Sequence, residues 1–332
     1  MILRKKYAIC LALLVLGFSI FTSCVYNKTI SIQTLKPAEL SVPSNFAQPL
    51  IVTGIYKGVP GSPESMAQAA LDSTAALEAG LVLAETLAES PWFQGVEPPV
   101  RQHYRDESTR LILPYSWNEV ENMASATDAD LVISLEYIKI TPKTDSYPYW
   151  DGAFQGYYGY LSMDVYAYWR VYDLYNRELV SNYLFRDTLI WDEHDYFPVE
   201  VGDQLPGFFN SAAYCGYLVG DEYAKKIAPY WADEQRFYYV KGHKLLRNAA
   251  NLVINNQWED AANLWQEVID KYPNREELAA KAAFNLALAN EMLGNFEVAI
   301  DWLEESEKYY RLQRALVYKS VLKERIKHLE KL

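Results

Sequence analysis

Val165-Tyr166-Ala167-Tyr168-Trp169-Arg170-Val171-Tyr172-Asp173 alternates apolar residues with tyrosine or charge. In a pleated strand Val165, Ala167, Trp169 and Val171 fall on one face and the tyrosines with Arg170 on the other. After a turn around Asn176, Leu179 to Trp191 repeats the period of two more loosely, so the pair reads as an antiparallel hairpin. Outward from it, Leu131 to Tyr137 and Leu50 to Tyr56 read as strands, and Lys28 to Leu35 as a short one. Leu77, Leu81, Ala84 and Ala88 form a helical stripe within Glu64 to Glu89, and Trp117 to Thr127 reads as a shorter helix. Phe208 to Ile227 is a helix with Ala212, Gly216 and Gly220 four apart. Asn210, Asp221 and Glu222 argue against a lipid-buried span, so this stripe is expected to pack closely on the sheet. From about Asp233 onward the pattern reads as wholly helical. The expected fold class is α+β, an α/β sheet-and-helix domain followed by an all-α domain of helical hairpins.

The helical part repeats. Asn256-Gln-Trp258-Glu-Asp-Ala261-Ala-Asn-Leu-Trp265 aligns with Gly294-Asn-Phe296-Glu-Val-Ala299-Ile-Asp-Trp-Leu303 at a displacement of 38 residues. A turn residue, an aromatic two later, an alanine three after that and then a large apolar residue resemble the tetratricopeptide (TPR) repeat. Ala249 and Ala287 take its small position, where the helices of a hairpin cross, and Pro273 closes the first unit. Ser306 and Arg311 depart from the pattern, and the spacing is longer than in that family. Two repeats seldom bury enough surface alone, so Leu312 to Leu332 is expected to cap them. The resemblance implies a concave partner groove lined by His243, Leu246, Ala250 and Val253 from the first repeat and Lys281, Phe284, Leu288 and Glu291 from the second. If the capping helix or the α/β domain fills that groove, the same residues are ordinary core.

The amino terminus carries Arg4-Lys5-Lys6, an apolar run from Tyr7 to Phe21, and then Thr22-Ser23-Cys24. A basic start, a short apolar stretch and small residues before a cut match a secretory signal, and the run is short for a transmembrane helix, which needs about 20 apolar residues. Phe21-Thr22-Ser23-Cys24 resembles the lipobox of bacterial lipoproteins, with Phe in place of the usual Leu. It implies cleavage before Cys24 and lipid on that cysteine, which anchors the chain to a membrane. The alternative is an uncleaved anchor. Val25-Tyr26-Asn27-Lys28 lacks the acidic residues that mark surface-exported lipoproteins, which favours an outer-membrane address facing the periplasm. The expected organisation is a signal peptide at 1–23, a lipidated tether with a short strand at 24–48, the α/β domain at 49–230 and the helical domain at 231–332.

Of 332 residues, half are apolar and 22% charged, enough for a proper core. The net charge is −12, and removal of the first 23 residues with their three cations makes it −15. That field repels nucleic acid and anionic lipid, so no nucleic-acid partner is expected. Cys10 leaves with the signal and Cys24 carries lipid, so Cys215 stands alone among small apolar neighbours and reads as packed core.

Ala129-Asp130-Leu131-Val132-Ile133 resembles the entry to a central strand in the amino-terminal α/β domain of TolB and of the curli-secretion lipoprotein. Pro37-Ala38-Glu39, the Trp169-Arg170-Val171-Tyr172-Asp173 strand and the helical end together resemble an uncharacterised family of Bacteroidota lipoproteins. That likeness carries no known activity.

No catalytic constellation emerges. His103, His194, His243 and His328 are scattered, and no metalloprotease, nucleophile-elbow, phosphate-loop or dinucleotide motif occurs. Asp192-Glu193-His194-Asp195 reads as a polar loop after a strand, so no metal and no cofactor are expected. The stretch 147–160 is aromatic and punctuated by glycine, and it offers Tyr149, Trp150, Tyr157 and Tyr158 as a possible ligand loop. Its rings can equally pack on the sheet as a strand extension. Two readings stand. One is a non-enzymatic envelope lipoprotein that binds or scaffolds a protein partner through the TPR-like groove. The other is a glycan-binding or glycan-processing lipoprotein that uses the aromatic stretch.

Overall fold

The computed structural model describes residues 27–40, 48–55, 57–93, 95–103, 113–152 and 154–332. Cys24 and the signal therefore lie outside the described residues, as does the side chain of His103. The fold class is α+β, with a sheet-and-helix region followed by an all-helical segment. The chain divides into two compact units: Leu35–Trp231, and Ala232–Leu332 with the residues up to Thr34.

In the first unit β2 (Pro49–Ile55), β3 (Val100–His103), β4 (Leu131–Asp151), β5 (Phe154–Asp173) and β6 (Glu178–Asp195) form one sheet in the order β3-β2-β4-β5-β6. β2 pairs in parallel with β3 and β4, while β4, β5 and β6 form an antiparallel ribbon. Val165, Ala167, Trp169 and Val171 are all fully buried, as the alternation predicts. They share a core with α1 (Pro63–Glu89) and α4 (Phe208–Ile227), where the Trp169 and Tyr223 rings stack at 4.9 Å. α1 starts at Ser62, whose side chain accepts from the Ser65 N–H at 3.3 Å, with Pro63 fitting the first turn. On the other face α2 (Trp117–Ala124) covers Val132 and Tyr172 and is held by a capping box between Ser116 and Glu119.

The small-residue stripe of α4 packs against a helix as well as the sheet. A Cβ on Gly216 would sit 2.3 Å from the Ala75 carbonyl oxygen, and one on Gly220 equally close to that of Ala79. The expectation of sheet packing alone is thus corrected, because the backbones of α1 and α4 touch there. A short helix that the sequence did not signal, α3 (Pro198–Gln204), follows β6 and lays Val201 over Gly159.

In the second unit α5 (Lys244–Ile254) and α6 (Trp258–Lys271) form one hairpin, and α7 (Glu276–Met292) and α8 (Phe296–Tyr309) another. α9 (Gln313–Leu329) follows. Asn256 and Gly294, the equivalent turn residues of the repeat, have φ of 57° and 80°, the left-handed region that Asn and Gly tolerate best. Ala249 and Ala287 are fully buried, and Ser306 donates to the Ala280 carbonyl at 2.8 Å, which accounts for serine at that position.

The chain is not wholly helical from Asp233. Tyr230–Tyr239 is a strand, β7, and it pairs with β1 (Asn27–Lys36), the strand expected in the tether. Asp233-Glu234-Gln235 looks like the polar start of a helix. The partner that draws it into a sheet lies some 200 residues away in sequence.

Candidate functional site

The eight residues assigned to the groove are mostly core. Leu246, Ala250, Val253, Phe284, Leu288 and Glu291 are buried, and only His243 and Lys281 are half-exposed. The groove is filled from within its own unit. Phe284 stacks on Phe237 of β7 at 4.9 Å, meets Tyr239 edge-on at 5.2 Å and lies 5.3 Å from Tyr318 of α9. Asn285 accepts from the Tyr239 N–H at 2.8 Å and donates to its carbonyl at 2.7 Å, tying the strand down. Glu291 is enclosed by cations: Arg236 donates to it from Nε at 2.9 Å and Arg325 at 2.6 Å, while the Tyr318 hydroxyl also donates to it. Burial and that carboxylate push the Tyr318 hydroxyl far above its usual range. His243 instead caps α5, accepting from the Leu245 N–H, and packs its ring on Tyr272 at 4.7 Å.

The aromatic stretch is strand, not loop. Tyr147 to Asp151 and Phe154 to Tyr160 are opposed arms of the β4–β5 hairpin, which turns at Gly152. Pairing of Pro148 with Tyr157 and of Trp150 with Gln155 puts Trp150 and Tyr157 on one face. Tyr149, opposite Gly156, and Tyr158, opposite Tyr147, lie on the other, where the Tyr147 and Tyr158 rings approach to 5.1 Å. The four candidates therefore cannot close on one ligand atom. The face bearing Trp150 is the one α3 packs on, beside a cleft of about 630 Å³ lined by Asp145, Ser146, Leu205 and Phe208 among others. Trp150 at the hairpin end is 72% exposed and Phe154 65%.

The second face is the more continuous surface. Tyr158, Tyr160, Tyr166 and Tyr168 of β5 share it with Tyr147 and Tyr149 of β4, and all six rings are at least partly exposed. At about 3.3 Å per residue the row from Tyr158 to Tyr168 runs about 33 Å. No described helix packs on this stretch of the face, since α1, α3 and α4 lie on the opposite side and α2 lies over Val132 and Tyr172. Charged side chains of both signs stand between the rings, among them Lys139, Asp145 and Asp192. Lys143 and Asp164 pair at 2.5 Å, Thr188 donates to Asp164 at 2.9 Å, and Arg186 lies 5.0 Å over the Tyr166 ring. The Lys143 ammonium holds the Asp164 carboxyl below its usual value, and partial desolvation followed by Asp192 raises the Tyr158 hydroxyl. Beneath α2 a β-bulge at Glu136 lets its carboxylate take Arg170 and the Tyr172 hydroxyl in a buried pair.

Residues 60–239, more than half of the chain, match the family described as Domain of unknown function (DUF8603). The chain belongs to this family. The DUF8603 region covers the whole ribbon and its tyrosine face, and residues 247–324 match a second family, Domain of unknown function (DUF6340). No curated protein matches the chain. Among solved structures, a Helicobacter pylori protein described as a neuraminyllactose-binding hemagglutinin homolog is 11% identical over 57% of this chain and 95% of its own, with a TM-score of 0.27. The hypothetical protein CT253 from Chlamydia trachomatis is 11% identical over 44% of this chain and 72% of its own, with a TM-score of 0.19.

Asp192, Glu193, His194 and Asp195 belong to β6 and not to a loop, and strand alternation splits them between two faces. Among the described residues no group of three or more His, Cys, Asp or Glu is arranged to hold a metal. Cys215 is fully buried, and burial pushes its thiol up to about 12. Among the described residues no helix is long and apolar enough to cross a membrane.

Proposed function

We propose that this chain is a non-enzymatic envelope lipoprotein, anchored through lipid on Cys24, that binds a neutral, extended glycan along its tyrosine face. The observation that carries the reading is the row of six partly exposed tyrosines on the side of the β4–β5 hairpin that no described helix covers. Sugar rings stack their C–H faces on aromatic rings, and the phenol hydroxyls with the exposed Thr188 between them offer hydrogen bonds to sugar hydroxyls. Lys143 and Asp164 neutralise each other, and Lys139 and Arg186 stand against Asp145 and Asp192 on the same face, so its charges balance and favour no ion of one sign. A row about 33 Å long suits a polymer of repeating units better than a single sugar. The groove reading is the weaker one, because six of its eight residues are packed core.

The test is retention of the detergent-solubilised chain on neutral insoluble glycans and on purified cell-wall sacculi, comparing wild type with Tyr158→Ala and Tyr166→Ala. Each substitution is expected to weaken retention about tenfold, near 1.4 kcal/mol, with little change in melting temperature. Unchanged retention in both variants would reject the tyrosine face as the binding surface.

A further inference from the structure

Where β7 and α9 fill the helical groove they leave a cleft of about 330 Å³. Phe237 and Phe284 line it from β7 and α7. Arg314, Val317, Tyr318 and Val321 line it from α9, at the three- and four-residue spacing that gathers them on one side of the helix. The walls are apolar, and Val317 is 62% exposed within them. The cations at this cleft differ in one respect. Arg236 is saturated by Glu291 at 2.9 Å and Glu234 at 2.6 Å. Arg314 has no acidic partner among the described residues. It is exposed, and its guanidinium lies 4.2 Å over the Phe237 ring at the mouth of the cleft. In a chain of net charge −12 an unanswered arginine bordering an apolar cleft asks for an apolar ligand with one negative charge.

We infer that this cleft takes the free carboxy-terminus of a polypeptide whose last residue is apolar, with its carboxylate on Arg314 and its last side chain against Phe237, Val317 and Val321. A terminal residue carries its carboxylate and its side chain on one carbon, which suits a cleft where an exposed cation and an apolar wall lie side by side. The volume lies at the low end of ligand sites, which run from about 300 to 1,000 Å³, and so favours one or two residues over a long acyl chain. This site belongs to the helical unit and is independent of the glycan reading.

The experiment measures fluorescence anisotropy of a dye-labelled peptide ending in Leu-Phe on the full solubilised chain, as the free acid and as the carboxy-terminal amide. The free acid should bind wild type about tenfold more tightly than the amide does, as loss of one charged hydrogen bond implies. Arg314→Gln should bring the free acid to the level of the amide, Arg314→Lys should keep part of the difference, and melting temperatures should stay put. Equal binding of acid and amide, no effect of Arg314→Gln, or no binding at all would overturn the proposal. Binding of decanoate without binding of the peptide would overturn the polypeptide occupant.

Discussion

Asp72 sits on α1 with its carboxylate buried, accepting from the Ile140 N–H at 2.8 Å and from Gln68 at 2.9 Å. Burial raises its pKa to about 6 from 3.8, against the lowering effect of those two donors. A folded-state pKa above the unfolded value means that the group favours folding when protonated. Its contribution is complete below about pH 4 and is lost as pH rises through 6. Asp72→Asn keeps an acceptor for Ile140 and removes the ionisation. The variant should therefore gain on wild type between pH 4 and 7, by about 2–3 kcal/mol in urea unfolding. A difference that stays flat across that range would show the carboxylate to be better solvated than its surroundings imply. None of this is legible in the sequence, where Asp72 is one polar residue in an alanine-rich helix and its partner lies 68 positions on. The same holds for Phe284 and Glu291. The repeat register placed them on the inner side of their helix, but their neighbours Phe237, Arg236 and Tyr318 come from elements far away in sequence.

The β5–β6 hairpin was legible because Val165 to Asp173 alternates cleanly, and a slip of one residue would turn every buried side chain to water. β7 was not, because the polar run Asp233-Glu234-Gln235-Arg236 interrupts its ten residues and its partner β1 belongs to the other end of the chain. The Ala212, Gly216, Gly220 spacing signalled a close approach without naming the element approached. Gly216→Ala puts a methyl 2.3 Å from the Ala75 carbonyl oxygen, so α1 and α4 must separate. Overpacking of that kind costs about 1–3 kcal/mol, and the variant should melt lower by a corresponding amount. Gly202, exposed on α3 with nothing within 4 Å of a Cβ, is the control. Gly202→Ala should be neutral or stabilise by up to about 1 kcal/mol through helix propensity. If Gly216→Ala were as harmless as Gly202→Ala, the helix contact would be looser than its geometry requires.

Charge separates the two surfaces proposed for the whole molecule. The chain carries 43 acidic against 31 basic residues, so its long-range field repels anions and any anionic ligand must be held by a local cation. The tyrosine face pairs Lys143 with Asp164 and presents rings, whose stacking does not depend on ionic strength. The helical cleft relies on Arg314, which is exposed and so open to screening over a Debye length that shrinks from about 10 Å at 0.1 M salt to 3 Å at 1 M. Raising salt from about 0.05 to 0.5 M should leave glycan retention nearly constant while the free-acid peptide loses most of its advantage over the amide. Both readouts come from one preparation, so a general loss of folding would lower them together and be recognised as such. Glycan retention that fell with salt would mean that the ribbon binds through charge, and the six tyrosines would then be packing for an ionic surface instead of the surface itself.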